Sequence, residues 1–354
     1  TRMSPRWCWP PNAPASRAVS PGCAPSSVSR AEGRLPPPGR VSGPQAAQPI
    51  SFFRSRVART TSGLFKHANY PLANTLDYAG DPGLCGPESV SWRVIGDTSA
   101  FIGGVRALLV QAAHPEVAAG VSDHSRYRED PLGRLSRTSA YVTATTFGAM
   151  PEVEQAVAIV RRAHRHVRGE SHRGIDYTAD TPGFAAWVHN ALTDSFLQAY
   201  LSFGPEPLSE AEQDRFVVEQ ARIGQLLGAD PFPTTARSLR DWIYEHPALA
   251  DSPGKREAID FLRSPPLPLV VQPAYQTMVR AATATIPPDL NRLLGLHAPP
   301  GSLAAGRAVT GFLRWLRVAH GDSRAGTTSN ARTRPSRSAN TTREPRAAGD
   351  AMEP

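Results

Sequence analysis

Between residues 151 and 169, Val153, Val157, Val160, His164 and Val167 recur at spacings of four, three, four and three. Side chains so spaced lie on one face of a helix. No stretch of the chain alternates apolar and polar residues as a half-buried strand does, so the pattern points to an all-α core. The stripe is aliphatic except at His164. Arg161, Arg162, Arg165 and Arg168 fill the other faces, and His166 points well away from it. Pro151 suits a first helical turn, and Glu152 and Glu154 suit its positive end. Gly169 is the expected C-terminal stop.

The same reading extends over residues 89–320. SWRVIGD, residues 91–97, leads into a first core helix over 99–113, where Gly103 and Gly104 permit close approach of another element. That helix should stop at His114, because a residue before proline disfavours helical geometry. A short helix through Val121 follows, then one over 132–147. On the latter, Arg134 and Thr138 are four apart and share a face, with Arg137 beside them. Residues 170–182 read as a loop. Residues 183–203 are apolar nearly all round and predict a deeply buried helix, with His189 in line with Ala185, Leu192 and Phe196. Ser209 with Glu212 three positions on is a capping box for a helix reaching 227. Further helices are predicted over 238–245, 254–263, 273–284 and 306–319.

Residues 1–50 are rich in Pro, Ser and Arg, and 321–354 are polar and Arg-rich, so both are predicted to be disordered tails. Residues 51–88 are transitional, with Gly80, Gly83 and Gly86 marking a loop. One large helical domain is expected over 89–320. The net charge of +8 lies mostly in the tails, and no basic stripe interleaved with aromatics suggests nucleic acid. The first fifty residues lack a signal-peptide core, and the three cysteines form no C-x-x-C pair, so a reducing, cytoplasmic setting is expected. No run of about 18 apolar residues predicts a membrane span.

Buried histidine and arginine can serve a haem, as iron ligand and propionate partner respectively. His164, His189, Arg134 and Thr138 fall on buried or half-buried faces. Satisfied core histidines would look the same. A mononuclear metal on His114, His124 and His189 is a further reading. No Glu-x-x-His, His-Glu-x-x-His, Gly-x-Ser-x-Gly or Walker-type loop occurs.

Three segments together resemble the MpaB/rubber-oxygenase catalytic-domain family: LLVQAAHPEVAAGVSDHSRYREDPLGRLSRT, RRAHRHVRG and DYTADTPGFAAWVHNALTDSF. The resemblance implies globin-like packing of helices around one non-covalent haem b. It implies an oxygenase using O2 as co-substrate on a hydrophobic, isoprenoid or unsaturated lipid-like small molecule. By motif, His164 resembles the proximal metal ligand. Arg134 and Thr138 resemble the pocket pair of the rubber oxygenases, and Arg137 falls where those enzymes have a distal lysine. No acidic residue aligns with their proposed base; Glu116 and Asp123 lie nearby. His189 is expected to support the cofactor pocket by hydrogen bonding. The alternatives are a non-catalytic haem- or lipid-binding protein and a plain helical interaction protein. The oligomeric state is not legible.

Overall fold

The computed structural model describes residues 75–78 and 80–319. The disorder expected for the two tails, and most of the transitional segment, lie outside those residues. Within them the chain is predominantly helical, as its apolar periods require. After a short 3-10 turn at Thr75–Tyr78 come α1 (Val90–Gly96), α2 (Ala100–Gln111), α3 (Pro115–His124), α4 (Pro131–Phe147) and α5 (Met150–His164). Then follow α6 (Pro182–Phe203), α7 (Glu210–Leu226), α8 (Ala236–Tyr244), α9 (Pro253–Arg263), α10 (Gln272–Ala284), α11 (Pro288–Leu294) and α12 (Ser302–Ala319). Proline opens several of these, where its missing N–H costs nothing. The Ser209–Glu212 capping box forms at the start of α7.

The centre is the packing of α2 along α6. Gly103 makes it close: a Cβ there would sit 2.7 Å from Phe196 Cδ1 and 3.1 Å from its Cα. Gly104 faces open space and plays no such part. Ile102, Leu109, Trp187 and Leu197 are fully buried in this seam. Around it lie α10 and α12, α7 and α8, and α1. α9 bridges α2 and α3. The α4–α5 pair stands apart: α4 packs on α5 and more lightly on α1.

One buried charge pair pins the seam. Arg106 on α2 donates to Asp194 Oδ2 on α6 at 2.8 Å, with both side chains fully buried. The guanidinium also donates to Ser195 Oγ at 2.9 Å, Thr285 Oγ1 at 3.1 Å and the Tyr244 hydroxyl at 2.6 Å. Tyr244 in turn donates to Asp194 at 2.8 Å.

Several expectations are corrected. The His164 helix ends at His164, not at Gly169. The next residues form an antiparallel pair, β1 (Arg168–Glu170) with β2 (Asp176–Thr178), inside what reads as loop. Gly169 sits opposite Tyr177 in that pair, and a Cβ on it would come within 2.6 Å of the Tyr177 hydroxyl. It is glycine to let the tyrosine close over it, not to stop a helix. Val167 therefore belongs to the turn and not to the helical stripe. Finally, Pro288–Leu294 is a helix the sequence reading passes over, and the last helix starts at Ser302 instead of 306.

Removing Arg106 would leave Asp194 buried without its cation. Arg106→Ala is expected to cost about 3–5 kcal/mol in urea unfolding. The double variant Arg106→Met, Asp194→Leu should lose distinctly less, because no charge is then stranded. Equal losses would show that the pair does not act as a unit.

Candidate functional site

α4 and α5 are joined by Gly148 and Ala149 alone and pack on each other as a helical hairpin. Asp130 caps α4, its Oδ1 accepting from Gly133 N at 2.9 Å. Glu152 caps α5, accepting from Ala149 N at 2.9 Å. Arg134 lies 14 residues before Gly148, and His164 lies 15 residues after Ala149. At about 1.5 Å per residue, each lies roughly 21–23 Å along its own helix from the connection, toward the open end of the hairpin.

The open end is incompletely satisfied. Arg134 is half-buried, and no carboxylate among the described residues pairs with it. Its guanidinium carbon stands 5.9 Å from the Tyr127 ring centre. Desolvation pushes its pKa down, opposed in part by Tyr127 and reinforced by Arg137. Tyr141, seven residues nearer the connection and on the same α4 face, buries a hydroxyl that has no hydrogen-bond partner among the described residues. On α5, Val153 and Val157 are buried, whereas Val160, Ala163 and His164 are only half-buried. Burial depresses the His164 pKa, with Asp180 offsetting part of the effect, so its imidazole is held neutral. A neutral imidazole keeps a lone pair for a metal.

The neighbouring residues differ. Arg137 Nη1 donates to Asp130 Oδ2 at 3.2 Å. Thr138 is exposed, and its hydroxyl donates back to the Arg134 carbonyl at 3.1 Å. His166 is exposed in the turn after α5. His189 lies between α6 and α7, 5% exposed, and its Nε2 bonds the Gln220 carbonyl at 2.7 Å. A carbonyl only accepts, so that nitrogen carries the proton. Burial pushes the His189 pKa down to about 4.

His114, His124 and His189 are not brought together. No group of three or more His, Cys, Asp or Glu among the described residues could hold a metal ion. His124 Nε2 instead lies 3.0 Å from the Arg168 carbonyl.

The two acids near the base position both have partners. Glu116 is 2% exposed and accepts from Arg173 Nε at 3.0 Å, Arg173 Nη2 at 2.6 Å and Ser171 Oγ at 2.9 Å. Burial alone would raise its pKa, but Arg173 and Ser171 hold it below the usual range. Asp123 accepts from the Tyr177 hydroxyl at 2.5 Å.

Sequence reasoning missed Tyr141 and Arg173. Tyr141 had a signal, its seven-residue spacing from Arg134. Arg173 had none, because it meets Glu116 only through the β1–β2 turn. It also missed a cavity of about 540 Å³ at the start of α6, with His114 and His246 in its wall.

A family model described as "ER-bound oxygenase mpaB/B'/Rubber oxygenase, catalytic domain" matches residues 92–318. The chain belongs to this family. Among curated proteins and among solved structures, none matches it significantly. The matched span runs from α1 into α12 and holds every residue of the hairpin site. The chain thus carries an oxygenase catalytic domain of the MpaB/rubber-oxygenase family. No helix among the described residues is long and apolar enough to cross a membrane.

Burial pushes both His114 and His189 from 6.5 to about 4. With the folded pKa below the unfolded one, the folded state binds fewer protons as pH falls. The associated stability is full above about 6.5 and lost on approach to about 4. The melting temperature should fall across that window, and His189→Asn should flatten the fall. An unchanged slope in that variant would rule out His189 as a source.

Proposed function

We propose that the protein is a haem b-dependent oxygenase that uses O2 to oxidise a hydrophobic, unsaturated small molecule of isoprenoid or lipid-like kind. Family membership supports the oxygenase part. The observation that carries the haem part is the open end of the α4–α5 hairpin. The two helices carry, toward that end, a desolvated guanidinium without a carboxylate among the described residues, a neutral imidazole and a half-buried aliphatic stripe, with a buried phenol one helical stretch nearer the connection. A haem has the matching parts: an anionic edge, a metal that accepts imidazole, and apolar faces.

In this reading His164 is the metal ligand, and Arg134 pairs with a propionate in a charge-assisted contact. Thr138 and Tyr141 offer hydroxyls on the same face. Arg137, tied to Asp130, contributes positive potential at the helix start and does not act as a free distal donor. His189 supports the α6–α7 packing through Gln220. Bound haem supplies the iron chemistry that lets O2 react with an alkene; the protein supplies orientation and a dry setting. Cleavage of a carbon–carbon double bond by O2 balances with one oxygen atom on each carbon. A second reading, haem or lipid binding without turnover, draws support from Glu116 and Asp123 both being engaged.

His164→Ala is expected to purify folded but colourless or with a changed Soret band, whereas His166→Ala and His114→Ala keep the normal spectrum. A normal spectrum in His164→Ala, with loss in either of the others, would overturn the ligand assignment. Arg134→Ala should weaken haem retention about 10- to 100-fold in transfer to apomyoglobin, the value of a hydrogen bond to a charged group. Arg137→Ala should change it little. O2 uptake with an unsaturated isoprenoid separates turnover from mere binding.

A further inference from the structure

The cavity at the start of α6 is lined by none of the residues assigned above to the haem. Its floor is His114, 3% exposed, and its walls include Phe184, Trp242 and His246. The His114 ring lies 5.4 Å from both the Phe184 and His246 rings, and Trp242 lies 4.9 Å from His246. At the rim are Asp241 and Glu245, four apart on and just beyond α8, both exposed. Asp241 has only a 4.0 Å contact with the exposed Arg237, and Glu245 has no ion pair among the described residues.

The His114 side chain has no hydrogen-bond partner among the described residues. Its Nδ1 is buried and lies 3.3 Å from Glu116 Oε2, but off the line of a hydrogen bond. That carboxylate favours the tautomer with the proton on Nδ1, which leaves Nε2 a bare acceptor. Burial, its largest influence, pushes the His114 pKa down to about 4, so the ring is neutral in ordinary buffers.

An aromatic-walled cavity, a carboxylate rim and an unpartnered acceptor on the floor define a ligand with three parts. We propose that the cavity binds an amphiphilic organic amine, with its ammonium at Asp241 and Glu245, its apolar body between Phe184, Trp242 and His246, and a hydroxyl or N–H donor at its far end on His114. The ammonium gains from the ring faces as well as from the carboxylates. An anion is disfavoured by the same rim. No group of three or more His, Cys, Asp or Glu among the described residues is arranged to hold a metal ion there. The site makes no use of Arg134 or His164, so it can stand or fall independently of the haem reading.

The test is calorimetric titration of the full chain with tyramine, which has all three parts. Three analogues each change one: phenethylamine lacks the donor, p-cresol lacks the ammonium, and 3-(4-hydroxyphenyl)propionate reverses the charge. Tyramine should bind saturably. Phenethylamine should bind about 2- to 10-fold more weakly, the range for one neutral hydrogen bond. p-Cresol should be weaker by at least about tenfold, and the propionate should not bind. The exposed-rim double variant Asp241→Asn, Glu245→Gln should bring tyramine down to p-cresol, while leaving p-cresol binding intact as the sign of a folded cavity. His114→Phe should erase the advantage of tyramine over phenethylamine. Absence of saturable tyramine binding, p-cresol or the propionate binding as well as tyramine, or a tyramine preference that survives the rim variant, each overturns the proposal.

Discussion

Two opposite charges buried at zero exposure, Arg106 and Asp194, set the terms for the rest of the molecule. Each would be very costly in an apolar interior alone. They persist because the guanidinium and carboxylate are hydrogen-bonded by α6, by Tyr244 at the end of α8 and by Thr285 just past α10. Sliding α2 along α6 would break several of these bonds at once. The network therefore fixes the register of α2 against α6, which Gly103 brings into backbone-level contact with Phe196. The aliphatic core around it supplies most of the stabilisation, since area buried from water is the dominant favourable term. The charge pair supplies a reason for that core to pack in one way.

The α4–α5 hairpin is outside this network. It packs on itself and on α1, and its own apolar stripe is buried only in the half nearer its connection. The other half, at Val160, Ala163 and His164, is only half-buried. A lightly attached, half-covered hairpin beside a well-packed centre is compatible with a site completed by the proposed cofactor. A group that binds the folded form adds its binding free energy to stability, and here it would also order the hairpin. If the proposed haem is that group, its loss and hairpin loosening should be one event.

The helices were legible because their apolar periods are long and their caps are marked. Ser209 with Glu212, Asp130 before Pro131 and His114 before Pro115 all fall where the chain turns. His164 was legible as the polar interruption of an aliphatic stripe. The β1–β2 pair was not, because three-residue strands are too short to show a period. Gly169 misled for a physical reason: glycine serves helix stops and close ring approaches alike, and only the fold brings Tyr177 over it. The pairing of Arg137 with Asp130, instead of Arg134 with a neighbouring acid, was also hidden. Both arginines have acids within reach in sequence, and helix rotation decides between them.

That short hairpin has its own part in placing His164. Only three residues separate the end of α5 from β1, so whatever holds β1–β2 also holds the backbone of His164. Three polar contacts from α3 do so. Arg173 and Ser171 in the turn close on Glu116, Tyr177 on β2 donates to Asp123, and His124 meets the Arg168 carbonyl of β1. α3 in turn is packed on α9, which touches α2. A chain of contacts thus runs from the pinned centre, through α3 and the strand pair, to the open end of the α4–α5 hairpin. It gives Glu116 and Asp123 work as positioning groups. That explains why two carboxylates near the pocket sequence are bound up in hydrogen bonds instead of standing free to take a proton.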